Sequence, residues 1–63
     1  MEKEGFIGLR LGVDVDEETI TNAYDCLISR VIYPSSMVTM DFNSCRVNIF
    51  VDDSNIIRQI YVA

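Results

Sequence analysis

A chain of 63 residues has room for one domain, taken here as 1–63, and a domain that small buries only about 60% of the surface its unfolded form exposes. Its formal net charge is −5, with Lys3, Arg10, Arg30, Arg46 and Arg58 as the only cations; scattered bases among so many carboxylates exclude a nucleic-acid or anionic-membrane partner. The chain has no His, and its remaining acid–base and nucleophilic candidates show no converging constellation, so an enzyme is not expected and nothing implies a cofactor.

A hydrophobic content of 49% is that of an independently folding globule. No apolar run approaches the roughly 18 residues of a spanning helix, and Met1 to Gly5 lack a secretory leader's apolar stretch. The expected setting is therefore either the cytoplasm or, for a mature form, the exterior.

In chain order, Ile7, Leu9 and Leu11 alternate with Gly8 and Arg10, which predicts a short extended segment with one buried face, ending at Gly12. Asp14 or Asp16 can then cap a helix whose first turn carries Glu17 and Glu18 at the positive end of the dipole. Ile20, Ala23, Tyr24 and Leu27 follow at helical spacing and predict about three turns with a core-facing stripe. Arg30 to Tyr33 read as a strand stopped by Pro34, which cannot donate to a ladder.

Further on, Val47, Ile49 and Val51 alternate with polar or aromatic residues, the run 52–55 supplies turn chemistry, and Ile56 to Val62 complete a hairpin. The expected fold class is α+β: one α-helix packed on a small mixed β-sheet, with an extended, exposed loop. Cys26, near the helix end, and Cys45, near a strand start, could pair or stay reduced; sequence leaves both open.

Regular structure does not explain the passage from Pro34 to Cys45. Loops of about a dozen residues are uncommon in compact domains and are often functional. Its centre, with Met37, Val38 and Met40, is apolar, which is costly in water unless something covers it. The run Val38-Thr39-Met40-Asp41-Phe42, placed after Pro34 and before Arg46-Val47-Asn48-Ile49, resembles the inhibitory loop and supporting strand of the potato inhibitor I group of serine-protease inhibitors. It is most similar to that group's fungal and bacterial elastase-inhibitor branch.

The resemblance spans Ser29 to Ile60; before Tyr24 only Leu11-Gly12 and the acidic helix start can be placed. It implies a monomeric inhibitor of subtilisin-, chymotrypsin- or elastase-like serine proteases. Met37, Val38, Thr39, Met40, Asp41 and Phe42 would form the reactive site, with Met40 in the enzyme's primary pocket and Met40-Asp41 as the scissile bond. An extended backbone can pair with the enzyme as a substrate does, and a loop already held in its bound shape avoids most of the ordering cost.

Arg46 and Asn48 are implied as the loop's support, the Arg46 guanidinium spanning Asp41 and a group near Thr39. Where the plant branch commonly carries a second arginine this chain has Asn48, so the bracing is expected to rest on fewer charges. Ser35 and Ser36 replace the Gly and acidic residue of many relatives.

Other motifs have plainer readings. Asp52 and Asp53 are turn residues rather than a metal site, since further spaced oxygen ligands are missing, and Gly5, Gly8 and Gly12 lack phosphate-loop spacing. An Arg ahead of a strand is most often a solvated surface charge. The rival function is a non-inhibitory binding module that uses the same loop or a sheet edge to hold a partner.

Overall fold

The computed structural model describes residues 3–35 and 43–63. A 3-10 turn at Lys3–Phe6 precedes helix α1 (Glu17–Ala23), and strands β1 (Ile28–Ile32), β2 (Arg46–Val51) and β3 (Ile57–Val62) follow. The sheet has the order β1-β2-β3, with β1 parallel and β3 antiparallel to β2. This is the expected arrangement of one helix on a small mixed sheet. Among the described residues no helix is long and apolar enough to cross a membrane.

Asp16 is the cap of α1: its side chain accepts the Thr19 N–H at 2.8 Å, and Glu17 and Glu18 occupy the first turn. The helix runs for seven residues and not three turns. Asp25 adopts the left-handed conformation with φ 55°, which ends the helical repeat before Leu27 can join the stripe. Cys26 enters the core in its place, whereas Leu27 is 81% exposed. Both cysteines are free thiols, Cys26 buried and Cys45 exposed.

The expected extended segment at Ile7 to Leu11 does not form a strand. Gly8 and Gly12 take φ of +91° and +88°, which turn the chain out of the β region. Ile7 is left exposed, while Leu9 and Leu11 pack against the core from a looped path. The backbone still borders β3, with Gly8 N–H donating to the Ile57 carbonyl at 2.8 Å and Ile57 N–H to the Leu9 carbonyl at 2.9 Å. Strand β1 starts earlier than expected, at Ile28, and leaves Tyr33 outside it and exposed.

Alternation in β2 directs Val47, Ile49 and Val51 toward the helix. There they join Phe6, Ile20, Cys26 and Ile57 in the buried cluster. Phe50 pairs with Gln59 but Val51 with Ile57, so Arg58 is an extra residue in β3. That bulge changes the phase of the strand and allows both Ile57 and Ile60 to pack on the core despite their odd spacing.

The hairpin turn is organised by one carboxylate. Asp52 accepts the N–H groups of Ser54 at 2.8 Å and Ile56 at 3.0 Å, and its other oxygen pairs with the Arg58 guanidinium at 2.9 Å. The hydrogen bond from Ile56 is the main cause of a pKa below the usual aspartate value. A lowered folded-state pKa means that this contribution to stability is complete above the unfolded value of about 3.9 and lost as pH falls through the folded value. Urea midpoints should therefore stay level from about pH 5 to 7 and fall below about pH 4. Asp52→Asn should weaken the turn at neutral pH and flatten that acid decline; Asp53→Asn, away from these bonds, should do neither.

Candidate functional site

Met37, Val38, Thr39, Met40, Asp41 and Phe42 lie outside the described residues. The described structure supplies the two roots of the segment and the surface between them. The parallel register places Ile32 beside Phe50 and Ile28 beside Arg46. Residues 33–45 therefore leave at one end of the strand pair and return at the other. The return distance is about 13 Å at the rise of a strand, while that length of chain can span about 40 Å when extended. A connection between parallel strands needs about a dozen residues or more, and residues 33–45 supply a length of that order.

The downstream root is tied down. Asn43 accepts the Cys45 N–H on its side-chain oxygen at 2.8 Å and the Arg46 N–H on its carbonyl at 3.2 Å. The Cys45 carbonyl accepts from both Leu27 N–H, at 2.9 Å, and Ile28 N–H, at 3.2 Å. These bonds fasten the start of β2 to the entry of β1.

Because side chains alternate, Arg46, Asn48 and Phe50 occupy the sheet face opposite the helix, with Arg30 and Ile32 of β1 beside them. This face is buried despite its polarity: Asn48 is 0% exposed, Ile32 2% and Arg46 9%. Buried polar groups need partners, and here they form a chain of hydrogen bonds. Arg46 Nε donates to the main-chain oxygen of Ala63 at 2.9 Å, and Asn48 Nδ2 donates to the same oxygen at 3.1 Å. Asn48 Oδ1 accepts Arg30 Nε at 3.1 Å, and Ala63 N–H returns to the Arg46 carbonyl at 3.1 Å. Phe50 and Tyr61 stack at one side, their ring centroids 5.7 Å apart.

The two residues assigned to loop support, Arg46 and Asn48, are thus brought together. Arg46 is a buried, hydrogen-bonded cation and not the solvated charge its position in sequence suggested. Arg30 joins them and was not singled out in the sequence. β2 alternation turns Arg46 and Asn48 to one face, but only the parallel register of β1 against β2 brings Arg30 beside them, which no local pattern in the sequence signals.

Among the described residues no group of three or more Cys, Asp or Glu is placed to hold an ion. A shallow depression of about 540 Å³ between α1 and β1, bordered by Glu17, Glu18, Thr21, Leu27 and Ile28, is separate from the polar chain of bonds.

Three comparisons bear on the chain. The model of the peptidase inhibitor I78 family matches residues 18–62. The solved structure of the elastase inhibitor AFUEI (crystal form II) superposes with a TM-score of 0.71 at 30% identity, over 97% of this chain and 82% of that one. No curated protein matches.

Proposed function

Since this chain belongs to the peptidase inhibitor I78 family and is an inhibitor rather than an enzyme, we propose that it acts on serine proteases through a substrate-like loop, in the manner of the potato inhibitor I group. Met37 to Phe42 form the reactive segment, Met40 fills the primary pocket, and Met40-Asp41 is the bond presented for cleavage. The protein works as a monomer against enzymes of the elastase, chymotrypsin or subtilisin type. Met40 suits them because an unbranched, polarizable side chain adapts to an apolar pocket.

The observation that supports this reading is the buried polar face built by Arg46 and Asn48 at the start of β2, directly after the segment in question. A solvated binding loop has no use for a desolvated guanidinium at its root, because burying an ion costs several kcal/mol unless it is well paired. A loop that must resist hydrolysis does have such a use. Rigidity keeps the newly cut ends in place and lowers the ordering cost of binding. The likeness to an elastase inhibitor over nearly the whole chain agrees with the choice of target.

Titration of elastase, chymotrypsin and subtilisin tests the proposal. At least one should lose activity linearly with added protein, reaching the end point at one equivalent. If all three digest the chain, or all remain fully active at excess protein, substrate-like inhibition of this protease class is wrong.

A further inference from the structure

We infer that Arg30 is a positioning residue for the inhibitory segment, the second guanidinium of a brace shared between two strands. This inference rests on the assignment of Met40-Asp41 as the reactive bond.

Arg30 and Asn48 are direct partners in the parallel register, and Arg30 Nε donates to Asn48 Oδ1 at 3.1 Å. Asn48 is wholly buried and spends its amide donor on the main-chain oxygen of Ala63. Arg46 reaches that same oxygen from the other side. Each link fixes the next: Ala63 is held by the ladder bond to Arg46, Asn48 is oriented by Ala63, and Arg30 is oriented by Asn48.

A neutral Asn at position 48 therefore does not reduce the brace to one charge. It passes the task to β1, by accepting one N–H of a planar fork whose remaining donors are held in a fixed direction. The geometry also relates the two ends of the crossover. Arg30 sits in the strand that leads into residues 33–45, and Arg46 opens the strand that receives them. One guanidinium from each strand, joined through Asn48 and Ala63, couples the departing and returning chain into one rigid unit. Polar networks that are fully satisfied act cooperatively in this way, and among the described residues no buried side-chain polar atom is left unsatisfied.

The test compares Arg30→Met, Arg30→Lys, Arg46→Ala and the unmodified protein during incubation with the protease they inhibit best. Two quantities are read: the rate of cleavage at Met40-Asp41, and the ratio of cut to intact inhibitor at equilibrium. Thermal unfolding is measured in parallel. Arg30→Met should raise both by about tenfold or more, the loss expected for one hydrogen bond made by a charged group. Arg30→Lys should fall between it and the unmodified protein, because the charge remains while the fork is lost.

A purely structural Arg30 would lower the unfolding temperature and leave the cut-to-intact ratio unchanged. That result, or full resistance of Arg30→Met beside rapid cleavage of Arg46→Ala, overturns the inference and leaves the reactive bond assigned as before. Should the methionine variant fail to fold, wild-type cleavage behaviour of Arg30→Lys overturns it equally. Cleavage of the unmodified protein at another bond instead removes the premise, a distinguishable outcome.

Discussion

Met40→Arg should lose binding to enzymes with apolar primary pockets and gain it toward trypsin. An arginine forced into an apolar pocket leaves a buried charge without a partner, at a cost of roughly 3–5 kcal/mol. Affinity should fall by about 10² to 10³ or more. In trypsin-like enzymes the same side chain meets a carboxylate, so attraction to one enzyme and exclusion from the other arise from a single change. Inhibition constants against chymotrypsin and trypsin measure both effects. An unchanged profile would remove Met40 from the primary pocket.

Arg46→Ala should turn the inhibitor toward a substrate. The mutation deletes the 2.9 Å bond to Ala63 and leaves that oxygen with the Asn48 donor among its side-chain partners. It also empties a site that is 9% exposed. Losing a hydrogen bond from a charged group costs roughly 1.5–3 kcal/mol, so cleavage of the bound loop should accelerate by about ten- to a hundredfold. The hydrophobic side of the sheet, where Val47, Ile49 and Val51 pack with Phe6 and Ile20, does not depend on Arg46, and the fold should persist. Mass spectrometry over a time course separates the outcomes: prompt appearance of two fragments supports the bracing role, and a mutant as intact as its parent contradicts it.

How far these features could be read from sequence depends on whether they are local. The helix start was legible because a cap is a local device: Asp16 precedes Glu17 and Glu18, and its carboxylate finds the Thr19 N–H three residues on. The hairpin was legible for the same reason, since the Asp52 turn and the alternation of Val47, Ile49 and Val51 are both contained in short windows. The helix end was not. Asp25 in a left-handed conformation is a less common stop than glycine, and it exchanged Leu27 for Cys26 as the residue facing inward.

Glycines misled in the opposite sense near the start. The alternation of Ile7, Leu9 and Leu11 imitates a strand, yet Gly8 and Gly12 at positive φ bend it into turns. The site was legible in part. Arg46 and Asn48 followed from a resemblance carried by neighbouring residues, whereas Arg30 lies eighteen residues before Asn48. Only the parallel pairing of β1 with β2 makes the two adjacent. Register between distant strands is a tertiary fact, and a short β-branched run does not announce which partner it will meet.

The most direct test of a substrate-like inhibitor is to isolate its complex with the protease and identify the bond that is cut on prolonged incubation. A single, slow cleavage between Met40 and Asp41, with the two fragments still held together and still inhibitory, is the expected result. Rapid cuts at several positions, or a tight complex in which that bond is never touched while another surface makes the contact, would contradict it.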